Sequence, residues 1–372
     1  MTVEFIGMIG SQHVSETHPA SGPVVDREFV RRFTRAHEEA GFDKVLVGYS
    51  SSTPEGLQIA GYAAAHSDRL GFLVAHRPGF VAPTLAARTY ATLDQLSGGR
   101  VAMHVISGGS DAEQRRDGDF LDKDERYDRT DEYLDVVIRT WTADAPFSHH
   151  GRHYRVEDVD AEIRPLQQPR IPVYFGGSSA AAYRVGGKHA DVFALWGEPL
   201  AGTTEQIAAV HAAARAAGRT DLPRISVSFR PILGATEEQA WERAHRILDR
   251  IHAANGGHGS FTGTRMHSER PSNVGSRRLL AAAEKGERHD RALWTATAAA
   301  SGAAGNSTAL VGTPQTVAAA LLDYVDIGVS TLLIRGYDPL DDAVAYGREL
   351  IPLVRQELGR RQAAAATTGA RA

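Results

Sequence analysis

The sequence predicts a (β/α)8 barrel with insertion segments, and three observations carry that prediction. Short apolar runs recur eight times, each leading into a stretch of helical periodicity. The fifth run, IPVYFGGSS at 171–179, passes straight into a double-glycine, double-serine turn that opens a helix. No dinucleotide-type glycine fingerprint follows the first run, where Gly10 is succeeded by SQHVSETH, so an open doubly wound sheet lacks its expected mark.

The first strand is 3–9 (VEFIGMI), and a helix over 26–40 follows, with Asp26 as N-cap and Gly41 as its stop. Strand 44–48 (KVLVG), helix 54–66, strand 70–75 (LGFLVA), helix 83–96, strand 100–106 (RVAMHVI) and helix 125–141 repeat the unit. Residues 142–170 interrupt it with an excursion or hairpin around HHGRHYRV, before Pro169 and Pro172 frame the fifth strand. Helix 180–188, strand 191–195, helix 204–217 and strand 224–233 (RISVSFRPIL) resume the alternation. A helix begins at 237, and the polar run over 256–276 is too long for an ordinary connection, which marks a lid or a disordered segment. Helix 314–326, capped by Thr313 with proline in its first position, leads to the eighth strand at 330–334 (STLLI), and helix 341–358 closes the series. Residues 1–358 read as a single barrel domain with insertions at about 107–125, 142–170 and 237–307; residues 359–372 read as a disordered tail.

Composition narrows the function. The 41 basic and 45 acidic residues leave a net charge of -4, without the basic excess of a nucleic-acid or membrane-surface binder. The absence of cysteine excludes a disulfide framework, a thiolate nucleophile and a cysteine-ligated metal. Met1 leads into the first strand without a basic leader, and no apolar run approaches a membrane span, so a cytoplasmic location is expected.

In such a barrel the chemistry sits at the carboxyl ends of the strands. At the fifth, Gly176 and Gly177 let the backbone approach an anion, the Ser178 and Ser179 hydroxyls can donate, and the helix N-terminus adds partial positive charge. Arg126 and Tyr127, opening the fourth helix, are placed to bend toward a phosphate there, while the rest of the charge-dense run around them reads as mostly solvated. Trp196 ends the sixth strand and offers an indole face either to a ligand or to plain packing. Arg230 sits within the apolar VSFRPIL and needs a partner, either a carboxylate such as Glu198 or an anionic substrate. Arg335, just past the eighth strand, would stand beside it as the second half of an anion clamp. His76 and His104 lie at the third and fourth strands, and His104 faces either the barrel or a helix. With no HxH or HExxH pair on the strands, no metal site is expected.

With these residues placed, the chain resembles the bacterial-luciferase-like flavin monooxygenases, most closely the alkanesulfonate monooxygenase group. The carriers are RLGFLVAHRPGFVAPTLAARTYATLDQLSGGR (69–100), SGGSD with RRDGDFLDKDERY (107–127), PVYFGGSS (172–179), WGEP (196–199), TALVGTPQTVA (308–318) and RGY (335–337). The resemblance implies reduced FMN bound with its phosphate at Ser178 and Ser179, assisted by Tyr127 and Arg126, while Ser107 and residues 49–52 border the ring. It implies dioxygen as co-substrate, a separate NAD(P)H-dependent flavin reductase as partner, and a homodimer or homotetramer. The catalytic candidates are Arg230, Trp196, Tyr337, Arg335 and His76, with Arg230 binding the substrate anion or handling a proton and Tyr337 hydrogen-bonding near it. Closure of 256–291 over the site would expel water.

Three departures bear on the substrate. Ile232 stands where the family has a histidine, Thr53 where it has a cysteine, and AAASGAAGNS replaces a stretch that carries an arginine. The expected reaction is oxidation of an organosulfur compound, with an alkanesulfonate or similar sulfonate converted to an aldehyde and sulfite. A deazaflavin-dependent hydride-transfer enzyme and a non-catalytic flavin-binding relative are the alternatives.

Overall fold

The computed structural model describes residues 2–256, 271, 273–305 and 308–369. The barrel strands are β1 (Glu4–Ile9), β2 (Lys44–Val47), β3 (Gly71–His76), β4 (Val101–Val105), β5 (Val173–Gly176), β6 (Val192–Trp196), β7 (Arg224–Leu233) and β8 (Val329–Ile334). Their hydrogen-bonded order is β7, β8, β1, β2, β3, β4, β5, β6, with β6 also paired to β7, which is the (β/α)8 barrel that the sequence predicts. Two compact units divide the chain: Met1–Lys44, Leu195–Ile207 and Arg224–Ala372 form the first, Val45–Ala194 and Ala208–Pro223 the second. The division runs through β2 and β6 themselves.

In the second unit the register aligns Ala75 with His104, His76 with Val105, His104 with Tyr174, and Phe175 with Phe193. Gly186 of the helix Ala180–His189 lies so close to β5 and β6 that a Cβ there would meet Phe193 at 2.4 Å and Phe175 at 2.8 Å. Phe175, Phe193, Val105 and His76 therefore face the helices, and the strand period puts Ala75, His104, Tyr174 and Gly176 on the opposite face. The 142–170 excursion contains the expected hairpin, Phe147–His150 against Arg155–Val159.

In the first unit Phe229 of β7 packs 4.6 Å from Tyr324 of the helix Pro314–Asp326, so Ser228 and Arg230 face away from that helix. Residues 225–229 of β7 pair with β8, whereas 230–233 pair with a further parallel strand, Ala309–Gly312, that the sequence reading leaves unassigned. The segment before it holds a helix, Val274–Lys285, and a short antiparallel pair, Arg288–His289 with Leu293–Trp294. Residues 257–270, the centre of the expected lid, lie outside the described residues.

Of the tail expected to be disordered, residues 359–369 continue a helix, and 370–372 lie outside the described residues. Helix Ile351–Gly369 runs ten residues beyond Gly359. Alanine-rich sequence favours the helix, and Glu357 pairs with both Arg360 and Arg361 across its first exposed turns. Among the described residues no helix is long and apolar enough to cross a membrane.

Candidate active site

In the second unit the glycine turn after β5 forms a tight concavity. Gly177 has φ +148°, and a Cβ there would stand 2.6 Å from Ala182 Cβ and 3.1 Å from the Tyr127 hydroxyl. Such a backbone and such a space are glycine's. Ser179 Oγ caps the helix by accepting from the Ala182 N–H at 3.2 Å, and the Ser179 side chain also hydrogen-bonds Tyr127. Ser178 is half-buried beside them. Hydroxyls, helix N–H groups and a space that a methyl would fill are what an anion cradle requires.

Arg126 does not join that cradle. Its guanidinium donates to the Ser107 carbonyl at 3.3 Å, the Leu121 carbonyl at 2.6 Å and Asp111 Oδ1 at 2.6 Å. A buried cation takes the acceptors within reach, and here they belong to its own preceding loop. Ser107 is buried, with Oγ 3.3 Å from Thr130 Oγ1. The charge-dense run, read from sequence as mostly solvated, does keep most of its charged residues exposed or half-buried, but it is anchored at further acids: Arg77 holds Glu113 at 2.8 Å, Tyr49 holds Asp117 at 2.9 Å, and Arg129 holds Asp119 at 2.5 Å. Beside these contacts the near-parallel rings of Tyr49 and Phe80 line a cleft of about 390 Å³.

Of the two histidines, His76 departs from expectation and His104 takes one of the two faces left open for it. His76, a catalytic candidate, points into the helix layer, where Nε2 lies 2.7 Å from the Tyr133 hydroxyl and the ring packs edge-on to Tyr90. Burial pushes its pKa down to about 4, so it is neutral and structural. His104 lies on the other face of the sheet, its ring 3.4 Å from where a Cβ on Gly176 would be. Burial lowers it likewise to about 4, and its Nδ1 has no partner among the described residues.

In the first unit Arg230 is 1% exposed. Its Nη1 and Nη2 donate to the two carboxylate oxygens of Glu16 at 2.9 Å each, and Nε and Nη2 also reach the carbonyls of Arg335 and Gly336. The partner is therefore Glu16, from the polar loop after β1. Glu198, the candidate raised from sequence, instead binds Arg278 at 2.8 Å. The Tyr337 ring lies 3.9 Å beneath the Arg230 guanidinium, and its hydroxyl hydrogen-bonds the Thr297 side chain. Arg335 approaches Glu16 at 3.5 Å, and burial together with Arg230 lowers its pKa to about 10. The two arginines do converge, as expected, but the anion between them is the protein's own. Burial alone would raise the Glu16 pKa, yet Arg230 and Arg335 hold it down at about 2. Trp196 takes the packing role: Gly275 lies against its indole, and Leu279, Ala298 and Ala303 complete the cluster.

Residues 3–331 match the family described as luciferase-like monooxygenase. The chain belongs to that family. Among solved structures, riboflavin lyase RcaE with modified FMN and riboflavin is 19% identical at a TM-score of 0.78, covering 96% of this chain and 92% of that one. EDTA monooxygenase EmoA from Chelativorans sp. BNC1 is 18% identical at 0.76, covering 96% and 94%. Long-chain alkane monooxygenase LadA is 19% identical at 0.75, covering 97% and 92%. At these identities the likeness is one of fold.

Membership in the luciferase-like monooxygenases makes the chain a flavin-dependent oxidoreductase and implies a flavin. The turn fits one: glycine at 177 keeps the backbone bare where a Cβ would meet Ala182 and the Tyr127 hydroxyl, and the Ser179 and Tyr127 hydroxyls lie at that turn, with Ser178 next to Ser179 in sequence. The substitutions against the family pattern read plainly here. Ile232 is fully buried in an apolar cluster with Trp294 and Tyr337. Thr53 Oγ1 bonds within its own turn, to Ser50. Sequence reasoning missed Glu16 and Arg77; a lone acid in a polar loop gives no signal, whereas an arginine directly after an apolar strand is the same signal that exposed Arg230.

Proposed function

We propose that this protein is a two-component monooxygenase that takes reduced FMN from a separate NAD(P)H-dependent flavin reductase and oxidises an organosulfur substrate, most consistently a sulfonate, with dioxygen as co-substrate. The observation that carries the substrate class is the charge of the Arg230, Arg335 and Glu16 group. Arg230, fully buried, and Arg335, largely buried, converge on the carboxylate of Glu16, a cation-rich group that suits a monoanionic head group. A planar guanidinium fork suits sulfonate oxygens.

When bound, reduced flavin supplies the activation of dioxygen. Ser178, Ser179 and Tyr127 hold its phosphate, and the backbone at Gly176 and Gly177 gives room for it. Arg335 orients the substrate anion, while Glu16 and the Tyr337 ring fix Arg230 so that its field stays in place. In the overall balance a sulfonate R–CH2–SO3−, dioxygen and reduced flavin would give R–CHO, sulfite, water and oxidised flavin: one oxygen atom ends on the carbon as the carbon–sulfur bond breaks, and the other leaves as water.

The test is a panel of sulfonates incubated with the protein, a generic flavin reductase, NADH and air, with sulfite measured. Release from at least one member supports the reading. No sulfite from any member removes the sulfonate class, and tighter binding of a deazaflavin than of reduced FMN removes the cofactor.

A further inference from the structure

Within the second unit, polar atoms without partners gather at the ends of three consecutive strands. Ser51 Oγ after β2, Arg77 Nε and Nη1 after β3, and His104 Nδ1 in β4 are all buried and have no hydrogen-bond partner among the described residues. Buried donors and acceptors are almost always satisfied, and several orphans in one place mark a missing ligand.

Two of these residues, Ser51 and Arg77, are tied together. A single oxygen, Glu113 Oε1, accepts from Arg77 Nη2 at 2.8 Å and from the Ser51 N–H at 3.0 Å. Arg77 is 6% exposed, with its guanidinium 4.6 Å from the Tyr49 ring, so its position is fixed on two sides. The ladder continues past β3, where the Ile106 N–H donates to the His76 carbonyl at 3.0 Å. Strand alternation then puts Arg77 on the same side as Ala75 and His104, the face away from the helices. Gly176, which opens the phosphate cradle, lies on that face too.

A ligand that satisfies these groups must offer several acceptors on a planar edge and tolerate a cation. The pyrimidine side of a flavin does so, and reduced flavin adds a negative charge there when it loses its N1 proton. Charge placed beside that edge tunes which redox form is favoured. Resting on the flavin reading above, we infer that Arg77 and His104 contact the flavin ring, and that the Arg77 guanidinium makes the protein bind reduced, anionic FMN more tightly than oxidised FMN. His104 contributes a hydrogen bond as a neutral imidazole and does not select between the two forms.

The test is an anaerobic titration of the protein with oxidised FMN and with dithionite-reduced FMN, read by fluorescence. Wild type binds the reduced form more tightly. Arg77→Gln weakens reduced FMN by about tenfold or more and oxidised FMN by much less, so the ratio falls. His104→Phe weakens both forms by similar factors. Glu113→Gln releases the loop contact but keeps the cation, and leaves the ratio at or above the wild-type value; thermal melting checks that each variant is folded. An unchanged ratio in folded Arg77→Gln overturns the inference while the flavin reading stands, as does an equal fall in Glu113→Gln, which would make Arg77 a loop clasp only. Failure of wild type to bind either form overturns the flavin reading and the inference together.

Discussion

Arg230 and Glu16 form a two-pronged ion pair, 2.9 Å at each prong, between residues 214 positions apart in the chain. Breaking a buried pair by removing one partner leaves an uncompensated charge and costs about 3–5 kcal/mol. Glu16→Ala is expected to lower stability by that amount in urea unfolding. In the double variant Glu16→Ala with Arg230→Met the cost is less than the sum of the two single changes, because neither member of this pair is left as a stranded charge. Acid should act on the same pair. With the Glu16 pKa held at about 2, below its ordinary 4.5, the pair's contribution is complete above pH 4.5 and is lost as pH falls toward 2.

Arg230→Ala separates substrate handling from cofactor binding. The cradle residues Gly177, Ser178, Ser179 and Tyr127 belong to the second unit, whereas Arg230 and its partner Glu16 belong to the first. Turnover, as sulfite released per enzyme, is expected to fall at least tenfold while the dissociation constant for reduced FMN changes by less than about threefold. Equal losses in both would place this arginine at the cofactor.

Gly177→Ala tests the cradle. The added methyl meets Ala182 Cβ at 2.6 Å on a backbone with φ +148°, which costs about 1–3 kcal/mol of strain. The expected result is a lower melting temperature and FMN affinity reduced by about tenfold or more. Gly176→Ala is milder, since its nearest neighbour, the His104 ring, lies at 3.4 Å. Normal FMN binding by Gly177→Ala would remove the turn from the cofactor site.

The strands were legible because apolar runs and glycine or proline punctuation recur with little interference. The turn at 176–179 was legible as a strand-to-helix turn for the same reason, although strand, double glycine and helix N-terminus also recur in many α/β proteins that bind nothing. Glu16 was not, because it sits in SQHVSETH with no periodicity, and its pairing exists only once β7 and β8 are folded beside β1. Nor was the choice between His76 and His104. All six residues of β3 are buried, so no polar alternation tells one face from the other, and only the register with β5 and its helix does. The tail was misread because alanine and threonine after a glycine resemble a linker, while the Glu357 pairs with Arg360 and Arg361 act across helical turns.

The buried histidines give the pH prediction. Burial lowers His37, His76 and His104 from 6.5 to about 4. Between pH 6.5 and 4 the unfolded chain binds protons that the native one refuses, so stability from these groups is complete above pH 6.5 and declines as pH falls to 4. Each contributes at most about 1.4 kcal/mol per pH unit. His76→Phe removes one of them, at the cost of the Tyr133 hydrogen bond. Urea unfolding without added flavin, at intervals from pH 5 to 6.5, should show a lower absolute stability for the variant and a shallower dependence on pH, by about half a proton at pH 6.5 and about nine-tenths at pH 5. The carboxylates titrate alike in both proteins and cancel in the comparison, and the depressed Glu16 lies outside the window. An identical slope in the two proteins would mean that His76 is protonated in the folded state, and so not held neutral between Tyr90 and Tyr133.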